Sequence, residues 1–153
     1  MRSPLTRLQG DETGVTVIEF AFIAPILMLF LLGIVDGARA VSAKLTIDQA
    51  AYRAIEKIAV GTVQTDYTFA QTEAATAAGV PTSQVTVTSW LECDGTKQAN
   101  FTDSCTSGQQ TARYVKIAIT KSFVPSFGYG KYFLHADSSG NVAMSTEESI
   151  RIQ

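Results

Sequence analysis

Chemistry-bearing side chains are scarce in this chain. Its 153 residues include one histidine, His135, and two cysteines, Cys93 and Cys105. No C-x-x-C or H-E-x-x-H spacing occurs, so a zinc cage or zincin-type site is not expected. Asp94 and Asp103 lack the spacing of a calcium loop, and no cofactor or metal is expected from any other cluster. A nucleophile needs a base beside it. His135 is followed by Asp137 and Ser138, but no G-x-S-x-G elbow accompanies them. Glu147 and Glu148 are sequence neighbours, and on a strand they point to opposite faces rather than acting as a pair. The chain is therefore not expected to be an enzyme. Basic residues are not in surplus either: Lys and Arg number 12 against 14 Asp and Glu, a net charge of −2. Nothing is left over to neutralise phosphates, so nucleic acid is not an expected partner. Charged residues make up 17% of the chain, below the roughly 25% of an ordinary soluble domain.

That deficit is local. Residues 15 to 35 read VTVIEFAFIAPILMLFLLGIV, with Glu19 as their one ionisable side chain. At 1.5 Å per residue such a run covers about 30 Å, the thickness of a bilayer's hydrocarbon core. A chain this small could hardly enclose a helix that is apolar on every side. A cleaved secretory signal has a core of only about 7–15 residues behind a net positive leader. Here Arg2 and Arg7 are offset by Asp11 and Glu12, although small-x-small triplets ending at Ala40 and Ala43 keep cleavage there as an alternative. A retained transmembrane helix over 15–36 is the favoured reading. Arg39, Lys44 and Arg53 beyond the run make the positive-inside count ambiguous. The cysteines orient it instead. A disulfide between Cys93 and Cys105 would close a polar loop and contribute about 3 kcal/mol. Such bonds persist in oxidising compartments, which puts the C-terminal body outside the cytoplasm; two free thiols are the alternative. Asn100-Phe101-Thr102 fits a glycosylation acceptor, a pattern common by chance.

An acid inside a bilayer costs roughly 2.5–3.5 kcal/mol and is functional by default. Glu19 stands five residues after Gly14, which sits at the mouth of the apolar run. This arrangement resembles the type IV prepilin superfamily. The resemblance implies that residues 1–14 are a leader and that a membrane prepilin peptidase cuts between Gly14 and Val15. Glu19 would then compensate the new amine, because a buried charge is tolerable only with a partner. Gly14-Val15-Thr16-Val17-Ile18-Glu19-Phe20-Ala21, then Pro25, Gly33 and Asp36-Gly37, is similar to the TadE-like pseudopilins of the tight-adherence (Flp) pilus machinery. The TadG-like sister family has a similar plan with a larger extracellular part. The body after Gly37 is far longer than a major Flp pilin, which implies a minor rather than a bulk subunit. Its implied setting is the bacterial inner membrane, crossed once with the N-terminus cytoplasmic and the body periplasmic, from where it can be drawn into the pilus. Its implied partners are the peptidase, other pilins or pseudopilins and the assembly platform. The alternative is a tethered or secreted periplasmic binding module cut near Ala40 or Ala43, its ligand held by the aromatic segment from Phe127 to Phe133. Pro25 removes a backbone donor and is expected to kink the helix. Gly33 and Gly37 have the G-x-x-x-G spacing that lets helices approach closely.

From 37 to 153 the pattern predicts an extracytoplasmic pilin-like domain. Apolar residues at Val41, Leu45, Ile47, Ala51, Tyr52, Ile55, Ile58 and Ala59 approximate a 3.6 period, so the helix continues in amphipathic form and stops at Gly61. A second helix is expected over 66–78, opening at Asp66 and closing at Gly79 and Pro81. Alternation predicts strands over 84–91 and 113–123, and a weaker one over 141–152. Residues 124–135 read as a loop or hairpin covering the sheet. The expected fold is α+β: a long N-terminal helix, transmembrane and then amphipathic, packed on an antiparallel sheet of about three strands.

Overall fold

The structure is a computed structural model that describes residues 13–61, 66–126, 130–133 and 136–153. The leader through Glu12 lies outside these residues, as do Phe127, Tyr129 and His135. Helix α1 spans Thr13–Val60 without interruption, with Pro25 inside it. The missing N–H of Pro25 leaves the Ala21 carbonyl without its usual helical donor. Helix α2 spans Thr68–Ala78, and a 3-10 turn over Thr82–Gln84 leads into strand β1, Val85–Cys93. Strand β2 is Thr96–Lys97, β3 is Thr111–Phe123, α3 is the single turn Gly130–Phe133, and β4 is Val142–Arg151. The strands form one antiparallel sheet in the order β2-β1-β3-β4. The architecture is α+β, with four strands rather than about three.

The additional strand comes from a turn. Asp94 and Gly95 both take positive φ, 48° and 77°, the backbone of a two-residue I′ hairpin that Asp-Gly favours. That turn reverses the chain after Cys93 and sets Thr96 opposite it. Helix α2 begins two residues after Asp66, whose carboxylate accepts the Thr68 N–H at 2.8 Å and the Thr68 hydroxyl at 3.0 Å. It ends at Gly79, where φ is +62°. There the Val80 N–H reaches the Ala75 carbonyl at 3.0 Å and the Gly79 N–H reaches Thr76 at 3.3 Å, the paired bonds of a Schellman motif.

The chain divides into two compact units, Met1–Arg39 and Ala40–Gln153. The described part of the first is helix. Its side chains from Val17 onward are largely exposed, and this stretch is long and apolar enough to cross a membrane. Near its end Asp36 is buried and pairs with Arg39 at 2.8 Å.

The second unit has its own core. Val115, Ile117 and Ile119 of β3 and Val85 of β1 are buried on one face of the sheet, as the strand alternation requires. Helix α1 contributes Ile47, Ala50, Ala51, Ala54 and Ile58, and α2 contributes Ala70, Ala74, Ala75 and Ala78. Alanine at most of these positions lets the two helices sit close to the strands. The buried stripe of α1 differs from the expected one. Val41, Leu45 and Tyr52 are 61%, 53% and 54% exposed. At about 100° per residue they lie about 120° around the helix from Ile47, Ala51 and Ile58. The helix therefore has two apolar stripes, and a period count that merges them overstates the core-facing one.

A polar seam joins α1 to β4 within this unit. The Lys44 ammonium pairs with Asp48 at 2.7 Å and donates to the Ser145 carbonyl at 2.8 Å. Hydrogen bonds from Lys44 and then Thr146 hold the Asp48 carboxyl below its ordinary range, against a smaller opposing effect of burial. One turn on, the Glu148 carboxylate accepts from the Tyr52 hydroxyl and raises its pKa. Glu147 points to the other face, where it meets Lys116 at 3.1 Å. Lys57 of α1 and Glu73 of α2 pair at 2.6 Å.

Candidate functional site

Two places hold residues to which the sequence assigned roles, and a third stands out in the structure alone. The first is the start of α1. Gly14 and Val15 lie in its opening turns, and Glu19 is exposed on the helix among exposed Val17, Ile18, Phe20 and Phe22. A carboxylate in this setting has apolar neighbours on its own element and no partner there among the described residues. Farther along, a Cβ built on Gly33 or Gly37 meets nothing within 4 Å. The chain's own described contacts do not require glycine at either position.

The second place is the loop after β2. Cys93 and Cys105 are disulfide-bonded with Cα atoms 5.5 Å apart. Cys93 is buried at the end of β1, so the bond ties a polar loop to the sheet. Arg113 organises that loop from β3. It donates to the carbonyls of Phe101 at 3.2 Å and Asp103 at 2.9 Å, lies 5.7 Å from the Phe101 ring centre, and donates to the Gln153 side chain. The acids weighed as cation ligands have local partners. Asp94 accepts the Gln110 N–H at 2.8 Å, and Asp103 accepts from the Asn100 amide at 3.2 Å. Asp137 likewise closes its own turn, accepting the N–H groups of Ser139 and Asn141 at 2.8 and 2.9 Å. Those bonds, with Asn141 foremost, lower its pKa.

The third place is the outer face of the sheet, which the sequence reading passed over. Trp90 and Tyr114 are direct cross-strand partners whose rings stack at 5.2 Å with 15° between their planes. Lys97 of β2 lies 5.2 Å from the Trp90 ring centre, and the indole N–H donates to Glu92 at 2.7 Å. Beside them a cleft of about 460 Å³ opens, with Thr86 and Thr88 along β1 and Lys116 and Glu147 on the other side. The available signal was the second half of the strand alternation: Thr86, Thr88 and Trp90 on β1 fall on the same face as Tyr114 and Lys116 on β3. Of the aromatic segment proposed to hold a ligand, Tyr132 is 82% exposed, and Phe127 and Tyr129 lie outside the described residues.

One apolar N-terminal helix running into an α+β body defines the class: a chain whose helix fits a single-pass membrane protein. A family model described as TadE-like protein matches residues 14–55, which is all of α1 but its first residue and its last five. No curated protein and no solved structure matches.

Proposed function

We propose that the chain is a minor pilin-like subunit, a pseudopilin, that contributes to assembly of a tight-adherence (Flp, type IVb) pilus. In this reading it is inserted once in the bacterial inner membrane, with its body periplasmic. Prepilin peptidase removes residues 1–14, and the mature chain begins at Val15. Its partners are other pilins or pseudopilins and the assembly platform.

The observation that carries the reading is the position of Gly14 and Glu19 at the mouth of a membrane-competent helix that matches the TadE-like family over residues 14–55. Cleavage would free an ammonium group at Val15, one helical turn from Glu19. An isolated carboxylate at membrane depth is unfavourable by roughly 2.5–3.5 kcal/mol, and an ammonium partner offsets that cost within one subunit or between two. The second, exposed stripe of α1 supports assembly as well. Val41, Leu45 and Tyr52 offer an apolar surface beyond the membrane segment, and Gly33 and Gly37 leave room for a neighbouring helix to approach.

The test is the mature N-terminus. With the chain co-expressed beside its cognate prepilin peptidase, mass spectrometry is expected to find Val15 first. Protein that still begins at Met1 and supports normal piliation overturns the proposal. An N-terminus just after Ala40 or Ala43 would support the binding-module alternative instead.

A further inference from the structure

We propose that the outer face of the sheet binds an acidic saccharide, a pyranose unit carrying a carboxylate, in the cleft beside Trp90. The cleft measures about 460 Å³, within the roughly 300–1,000 Å³ of small-ligand sites. Its walls combine the two properties a sugar ring requires. The edge of the Trp90 indole, held between Tyr114 on one side and the Lys97 ammonium on the other, supplies an apolar wall for the sugar's C–H groups. Thr86 and Thr88 present hydroxyls that both donate and accept, Lys116 donates and Glu147 accepts. Sugar hydroxyls need that mixture, because each is donor and acceptor at once.

Charge selects an acidic sugar over a neutral one. The outer face carries Lys97, Lys116 and Arg151 against Glu92 and Glu147. Glu147 is paired with Lys116, and Glu92 accepts the Trp90 N–H. Lys97 lies over the Trp90 ring and forms no ion pair among the described residues. Its ammonium is therefore available at the cleft rim to a ligand carboxylate. An extended peptide adding to the sheet would pair with the outer edge of β1, where β2 covers only Glu92 and Cys93, whereas the cleft floor itself is made by side chains of the paired strands β1 and β3.

Trp90 is the only tryptophan in the chain, so its fluorescence reports on the cleft directly. The experiment titrates the full chain, held in phosphatidylcholine nanodiscs to avoid sugar-headed detergents, with tetragalacturonate. Maltotetraose and a tetraglutamate peptide are titrated in parallel. A saturable fluorescence change is expected with tetragalacturonate at up to millimolar concentration. Lys97→Gln is expected to weaken it by about fivefold, the effect of one exposed charge pair. Thr88→Val, on the exposed face of β1, is expected to weaken binding while far-ultraviolet circular dichroism stays unchanged. No saturable change with tetragalacturonate overturns the proposal, as does equal or tighter binding of maltotetraose or of the peptide. Insensitivity to Lys97→Gln overturns the assignment of the carboxylate. None of these readouts depends on cleavage after Gly14, so the site can fail while the pilus reading stands, and the reverse.

Discussion

At the residue scale, Glu19 and the Lys44–Asp48 pair show how environment decides what an acid does. Asp48 has a cation at 2.7 Å on its own helix, whereas Glu19 is exposed among apolar side chains. Glu19→Ala is expected to leave membrane insertion intact, since it removes an unfavourable group from the span. Under the proposed cleavage after Gly14 it is expected to abolish pilus assembly, because the freed Val15 amine would then have no partner. Electron microscopy of a complemented deletion strain checks this, and normal piliation would refute the pairing. For Asp48 the expectation concerns pH. Its folded pKa is depressed, so its contribution to stability is fully present above about 3.9 and is lost as pH falls through the lower folded value. Tyr52 has the opposite sign. Its raised pKa contributes stability below about 10 that disappears as pH rises through the folded value. Urea denaturation across pH should therefore show Asp48→Asn flattening the acid limb and Tyr52→Phe flattening the alkaline one.

At the scale of elements, the sequence made α1, α2 and the inward rows of β1 and β3 legible because each has a strong local cause. Those causes are uniform apolarity, a Gly stop, a Schellman glycine and strict alternation. Two features were not legible for physical reasons. Strand β2 is only Thr96–Lys97, too short to alternate, and its signature is the Asp94-Gly95 turn instead. The split between the buried and exposed stripes of α1 cannot be read from hydrophobicity, since Leu45 is more apolar than the buried Ala51. Only the position of the sheet distinguishes them. The two stripes make contrasting predictions. Ala51→Leu overfills a fully buried site and is expected to cost about 1–3 kcal/mol in chemical denaturation. Leu45→Lys is expected to change stability by no more than about 0.5 kcal/mol, yet to reduce cross-linking of the chain to neighbouring pilus subunits. An unchanged cross-linking yield would remove the exposed stripe from the assembly surface.

At the scale of the whole molecule, the two units are governed by different solvents. In Met1–Arg39 the described side chains from Val17 onward are mostly apolar and largely exposed, an arrangement that suits lipid and not water. Among its described residues Ala40–Gln153 buries its own apolar rows, satisfies its buried side-chain polar atoms and closes its loop with a disulfide. The sequence located the apolar run unaided. It could not locate the Trp90 cleft, which exists only because β1 and β3 pair with Trp90 opposite Tyr114. Its residues are separated along the chain and ordinary in type. If each unit is matched to its own solvent, a chain beginning at Ala40 should be a soluble, cooperatively folding monomer by sedimentation, whereas the full chain requires a detergent or bilayer. The Ile47–Ile58 stripe remains in that shorter chain, so its core is complete. Replacing both Cys93 and Cys105 by serine in it should lower stability by about 2–5 kcal/mol, because the loop is then released in the unfolded ensemble. A shorter chain that aggregates, or that is indifferent to loss of the disulfide, would mean that the body depends on the apolar helix for its fold, not merely for its anchorage.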